Sequence, residues 1–186
     1  APYNYNPESV VFIPQLAQGF STDSIVVGPE IFTGISGFYD YKTNGEVNVY
    51  IQVDPLHPDT IQVIDVVADS TDPTGANSRR TKWSYSTNGG TTWETSIEVP
   101  ASIRSGYPVL QLLNGAAVIA NHNTEISGQL NINLYPDLAP LVGVFNPVSH
   151  PSPAPFGIWP QIAVYNNGNV GILGRRNVSG NGPETL

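Results

Sequence analysis

The chain has 186 residues, of which 12% are charged, and its formal net charge is −8 with a sequence pI near 4.6. Seven Lys and Arg residues cannot form the broad basic face that binds phosphates, so we expect no nucleic-acid partner. The absence of cysteine excludes disulfide and thiolate chemistry, and no apolar run is long enough to span a membrane. Eighteen Gly and 17 Pro between short Val- and Ile-rich runs favour an all-β domain.

Residues 1–33 predict an extended lead-in followed by the first short strands, at 10–13 and 24–27. The chain begins with Ala1 and contains no Met, which indicates a processed or trimmed end. Export followed by removal of a signal peptide explains such an end, and proteolysis or truncation explains it equally. The first explanation leads us to expect a secreted, extracellular or cell-surface location.

Residues 34–105 predict the first complete antiparallel sheet. Asn44-Gly45 is a hairpin signal, and residues 46–53 after it alternate between polar and apolar side chains. Residues 54–59 contain two prolines and predict a loop, because proline cannot continue a hydrogen-bonded ladder. Residues 60–68 are nearly apolar throughout, as expected of a strand buried on both faces.

A polar turn inside this unit carries the most specific pattern in the chain. The pattern consists of Ser86, Asn88, Gly90, Thr92 and Trp93. Its Asn-Gly-Gly centre predicts a hairpin closed by polar side chains and covered by an indole. The pattern resembles the Asp-box, or BNR repeat, of sialidase-like β-propellers, which has Ser, any, Asp, any, Gly, any, Thr, Trp. Asn88 stands where that family usually has Asp, and its side-chain oxygen can still accept hydrogen bonds from the turn. The resemblance, closest to the secreted bacterial members, implies a structural turn between the two outer strands of a blade, on the face away from the substrate.

Two later segments repeat one another. Tyr107-Pro108 leads through an apolar run to Asn114-Gly115, and Trp159-Pro160 leads in the same way to Asn167-Gly168. The two prolines are 52 residues apart, close to the repeat length of about 40–50 residues in propellers. We therefore expect a second unit at residues 106–157 and the start of a third, incomplete unit at 158–186.

These units together predict a partial β-propeller of about three blades, each a four-stranded antiparallel sheet, with a compact β-sandwich as the alternative. Propellers close with about four to eight blades. We therefore expect another polypeptide, or a continuation of this chain, to complete the ring.

The sequence suggests two candidate sites and assigns no catalytic residue. His122 and Asn123 follow a predicted strand, where they line either a polar ligand groove or a surface turn. Asp69 and Asp72 offer oxygen ligands for calcium, although the spacing does not match an EF-hand and capping of a turn is the alternative. We assign no other cofactor, and the three histidines lack a zinc-type spacing.

The resemblance implies an extracellular, non-catalytic repeat module that forms a structural or adhesive part of a larger assembly. The alternatives are the N-terminal part of a sialidase-like glycan-active enzyme and a carbohydrate-binding module that uses Trp and Tyr. A sialidase needs three converging arginines, a Tyr nucleophile with a Glu partner and an acidic Asp. The family's aromatic-Arg-Ile/Leu-Pro motif is absent from this chain.

Overall fold

The computed structural model describes residues 31–37, 48–72, 75, 77–126, 130–148, 157–165 and 167–176. Within these ranges the fold is all-β, as predicted, with nine strands and no helix. The strands are β1 (Ile51–Asp54), β2 (His57–Val67), β3 (Arg80–Ser86), β4 (Ile97–Glu98), β5 (Gly106–Leu113), β6 (Ala116–Asn123), β7 (Asn131–Pro136), β8 (Gly157–Val164) and β9 (Val170–Arg176). The strands predicted before residue 31 and the Asn44-Gly45 turn lie outside the described residues.

The first sheet is an antiparallel meander in the order β1-β2-β3-β4. Its second strand is the apolar segment predicted to be central, and Ile64 on this strand pairs with Trp83 on β3. The prediction of a loop at residues 54–59 is wrong. The chain reverses within two residues, Asp54 pairs with His57, and the register shifts before the next pair. Pro58 falls inside this irregularity, where no ladder partner needs its missing N–H.

The second sheet has the order β5-β6-β7, and the third sheet pairs β8 with β9. After β7 the chain returns beside that strand through two isolated bridges, Asp137 with Phe145 and Leu134 with Val148. The fourth strand expected in this unit is therefore reduced to two single contacts.

The β5–β6 and β8–β9 hairpins share an unusual backbone feature, and the prediction that they are equivalent hairpins in separate sheets is confirmed. Tyr107 has φ 50° and Trp159 has φ 55°, a left-handed conformation that bulky residues rarely adopt. Each is followed by proline, and the register of each hairpin shifts across this aromatic-Pro pair. The pair therefore forms a β-bulge at the same place in both hairpins.

The second sheet is buried on both faces. Ala117 and Ile119 of β6 belong to a core cluster that contains Ile64 and Trp83 of the first sheet. Val118 and Ala120 alternate with them and belong to a second cluster that contains Ile162 of the third sheet. Because successive side chains of a strand point to opposite faces, the second sheet packs between the other two.

Gln62 links the first two sheets through its side chain, which is 0% exposed. Its Oε1 accepts a hydrogen bond of 3.1 Å from Trp83 Nε1, and its Nε2 donates to the carbonyl of Gly115 at 2.8 Å. Each bond satisfies a buried polar group that would otherwise lack a partner. One amide therefore fixes a core indole and holds the β5–β6 turn against the first sheet.

Replacing this amide tests its contribution to stability. We expect Gln62→Met to lower the free energy of unfolding by at least about 2 kcal/mol, because it leaves an indole N–H and a carbonyl buried without partners. Urea-induced unfolding measures this change. Gln111→Met on β5, where the side chain is half-buried, is the control, and an equal loss in both variants would contradict the proposed linkage.

Candidate functional site

The Asp-box-like turn (residues 86–93) is held together by its own side chains. Ser86 Oγ accepts a hydrogen bond from the Gly90 amide at 2.9 Å and donates to Asn88 Oδ1 at 2.9 Å. Asn88 Oδ1 also accepts the Thr92 amide at 2.9 Å, and its Nδ2 donates to Thr92 Oγ1 at 2.8 Å. These side chains thus replace the ladder bonds that end where β3 ends.

Trp93 lies over this turn, half-buried, and its Nε1 donates to the Gly90 carbonyl at 3.0 Å. Gly90 has φ +85°, and a Cβ there would come within 3.7 Å of the indole ring. The five residues predicted to act together therefore meet in one turn, four through their side chains and Gly90 through its backbone. Their contacts stabilise the connection between β3 and β4, so the role of this turn is structural.

A second group of polar and aromatic side chains lies at the opposite end of β3. We call it the Arg–His cluster (Arg79, Tyr107, His122 and Trp159). Arg79 directly precedes β3, whereas Ser86 ends it, and seven residues of strand span roughly 20 Å. Of these four residues, only His122 belongs to a candidate site predicted from the sequence, and its proximity to the other three was not predicted.

Arg79 connects the first sheet to this cluster. Its Nε donates to the Ser105 carbonyl at 3.0 Å, and its guanidinium lies 5.0 Å from the centre of the Tyr107 ring. The guanidinium passes against Gly106, where a Cβ would overlap it. Glycine at 106 therefore allows the arginine to cross from the first sheet to the second.

His122 is held neutral by this environment. Its Nε2 lies 3.2 Å from Arg79 Nη2, and its Nδ1 lies 3.3 Å from the backbone N of Trp159. Burial, followed by the charges of Arg79 and Arg104, lowers the pKa of His122 from 6.5 to about 3. The Arg79 guanidinium and the Trp159 amide are both hydrogen-bond donors. A neutral imidazole has one acceptor nitrogen, and protonation of His122 would remove it.

Buried asparagines continue from the end of β6 into β7 and form an asparagine ladder (Asn121, Asn123, Asn131 and Asn133). Asn123 Nδ2 donates to Asn121 Oδ1 at 2.6 Å, and Asn133 Nδ2 donates to Asn123 Oδ1. Asn121 Nδ2 in turn donates to the carbonyl of Val99, just beyond β4, at 2.8 Å and to Thr81 Oγ1 on β3 at 3.3 Å, which ties the ladder to the first sheet. The Nδ2 of Asn131 is buried without an acceptor among the described residues.

The structure thus buries both residues of the predicted ligand groove. His122 is 4% exposed and Asn123 is 0% exposed, so the interpretation as a surface turn is wrong. They are successive residues of β6, and their side chains join different groups, His122 the Arg–His cluster and Asn123 the ladder. The sequence signal for the ladder is the period-two spacing of Asn at 121, 123, 131 and 133.

Tyr135 ends the ladder and pairs with a carboxylate, Glu125 Oε2, to which its hydroxyl donates at 2.6 Å. Burial and this hydrogen bond raise the pKa of the Tyr135 hydroxyl well above its usual value. A tyrosine nucleophile needs an accessible oxygen and a lowered barrier to deprotonation. Tyr135 is 0% exposed, so this Tyr–Glu pair does not have the chemistry of a glycosidase nucleophile.

The acidic loop after β2 closes on itself. Asp72 Oδ2 accepts the amides of Asn77 and Ser78 at 2.7 and 2.8 Å, and the Asp69 amide donates to Ser78 Oγ. Asp72 therefore caps the turn, which is the alternative to a calcium ligand. In the described part of the chain, no group of three acidic, His or Cys side chains is arranged to hold a metal ion.

No family model, no curated protein and no solved structure matches the chain. Among the described residues, no helix is both long and apolar enough to cross a membrane.

The contacts of Asn88 predict how the turn responds to substitution. The free energy of unfolding of Asn88→Asp should lie within about 0.5 kcal/mol of that of the native protein. A carboxylate can accept hydrogen bonds from the Ser86 hydroxyl and from the amide and hydroxyl of Thr92. Asn88→Ala should lose about 1–2 kcal/mol, since it removes these bonds. Thr87→Ala, at an exposed neighbouring position, is the control for urea-induced unfolding. Equal losses in the Asp and Ala variants would show that the side-chain oxygen is not required.

The neutral state of His122 predicts a pH-dependent stability. Because the folded-state pKa lies below the unfolded value, the unfolded chain binds the extra proton, and stability falls as the pH drops below 6.5 toward about 3. His122→Gln keeps a neutral hydrogen-bonding group and should remove this dependence. Between about pH 7 and pH 4, the difference in unfolding free energy between the two proteins should change by about 3 kcal/mol in favour of the variant. Parallel pH profiles from urea-induced unfolding would contradict this account.

Proposed function

We propose that the chain is a non-catalytic β-propeller repeat module that forms a structural or adhesive part of a larger secreted or cell-surface assembly. One observation carries the proposal. Two apolar residues on the outer face of the third sheet, Ala163 and Leu173, are exposed, although the equivalent face of the second sheet is buried.

The registers of the two hairpins define which positions are equivalent. Val109 pairs with Ala120 directly after the bulge of the second sheet, and Gln161 pairs with Leu173 directly after the bulge of the third. Val109 and Ala120 are 0% exposed, in the core cluster shared with the third sheet. Leu173, which corresponds to Ala120, is 64% exposed.

This difference supports a repeating arrangement in which each sheet covers the face of the one before it. The third sheet covers the second, and a further sheet placed in the same way would cover Ala163 and Leu173. A propeller is built in this way, with blades stacked face to face around an axis. The further sheet comes either from a continuation of this chain or from another polypeptide.

A non-catalytic role is supported by how the polar groups are used. The side chains of the Asp-box-like turn are engaged with one another, and the ladder bonds join the first two sheets. Tyr135, which has a Glu partner, is buried in its un-ionised form. These groups hold sheets and turns together, as a structural module requires.

Site-specific photocrosslinking tests the proposal. A photoreactive phenylalanine analogue at position 173 should crosslink, in the native protein, to a β-rich segment that covers the third sheet. The same analogue at Leu138, which is 71% exposed on the loop after β7, is the control and should give no such product. Mass spectrometry of the crosslinked peptides identifies the covering segment. A monomer that gives no crosslink at position 173 and binds no further sheet would support a compact β-sandwich instead.

A further inference from the structure

A cavity of about 240 Å³ lies where the turns of three hairpins meet, at one end of the sheets. Its walls come from the β1–β2 turn of the first sheet, the β5–β6 turn of the second and the beginning of the β8–β9 turn of the third. Leu56, Leu113 and Val164 supply apolar surface, and Tyr165 supplies an aromatic ring. The cavity is smaller than the roughly 300 Å³ at which drug-sized pockets begin, so it suits a small group.

One carboxylate, that of Asp54, lines this otherwise mostly apolar cavity. Asp54 Oδ1 accepts the Leu56 amide at 2.9 Å, and Oδ2 lies 2.9 Å from Nδ1 of His57. The hydrogen bond to His57 and then that to Leu56 lower the pKa of the Asp54 carboxyl below its usual value. The cavity therefore contains a fixed negative charge at neutral pH.

We infer that this cavity binds a primary alkylammonium group, with the ammonium against Asp54 and the alkyl chain between the leucines and Val164. The inference does not depend on the function proposed above.

The chemistry of the lining selects this class of ligand. A carboxylate offers about four acceptor positions, and the Leu56 amide, the His57 ring and the His57 amide occupy three of them. An ammonium N–H can therefore bond to the remaining position while its charge opposes that of Asp54. The exposed ring of Tyr165 attracts a cation, and the aliphatic side chains bury the methylene groups of the ligand.

The wall opposite the first sheet is held in place before a ligand arrives. Gly115 has φ +82°, and a Cβ at this position would lie 2.9 Å from Asp54 Oδ2. The carbonyl of Gly115 is fixed by Gln62 Nε2 from inside the core. Glycine at this position therefore leaves room beside the buried carboxylate, and the cavity does not have to be formed by movement of the turn.

Titration of the full chain with n-butylammonium chloride, followed by backbone amide chemical shifts, tests the inference. Saturable shifts should concentrate at Leu56, Gly115 and Tyr165, with a millimolar dissociation constant. The uncharged n-butanol should give no comparable saturable shifts. Asp54→Asn keeps an oxygen for the Leu56 amide and should weaken binding at least about tenfold. Asp59→Asn removes an equal charge at an exposed position of β2 and should leave the affinity unchanged.

The outcomes separate cleanly. Binding that requires the ammonium group and Asp54 supports the inference. It is overturned by equal shifts with n-butanol, by unchanged affinity in Asp54→Asn, or by shifts that avoid the three turns. Should Asp54→Asn not fold, the comparison of n-butylammonium with n-butanol on the native protein decides alone.

Discussion

The burial of the second sheet on both faces is the constraint on which the rest of the structure depends. Ile119 and Val118 are neighbours on β6, yet each contacts a different adjoining sheet. Neither face can be polar along the middle of the strands, because charged groups there would lose hydration without compensation. The chain therefore places its buried polar chemistry near the ends of the strands and at the joints between sheets.

At those joints each polar side chain serves two sheets at once. Gln62 belongs to the first sheet and holds a turn of the second, and Asn121 belongs to the second and donates to Val99 beyond the first. Arg79, next to β3 of the first sheet, reaches His122 on β6 of the second sheet. Because hydrogen bonds require defined distances and angles, these contacts fix the register between sheets that apolar packing alone leaves loosely specified.

The sequence predicted features that depend on local chemistry. Asn114-Gly115 and the β-branched run of β2 report backbone preferences that act over a few residues, so the hairpins and the buried strand were recognisable. The tight reversal after Asp54 was not predicted. The two prolines indicated a loop, whereas the chain forms a bulge whose register is set by pairing with β1. The burial of His122 depends on Arg79 and Trp159, which lie 43 and 37 residues away along the chain. Long-range contacts of this kind leave no local pattern in the sequence. The interpretation of His122 and Asn123 as a surface turn is wrong for that reason.

The repeated bulge at Tyr107-Pro108 and Trp159-Pro160 also determines how these sheets can associate. β5 and β8 each form one edge of their sheet, and an open edge is a template on which foreign strands can pair and aggregate. Each edge carries a proline, which offers no N–H, and a bulge, which twists the strand away from a flat partner. The N–H of Leu110 on β5 is already taken by the carbonyl of Val49. Lateral strand addition is thereby disfavoured along these two edges, so contact of β5 or β8 with a foreign strand does not readily extend either sheet.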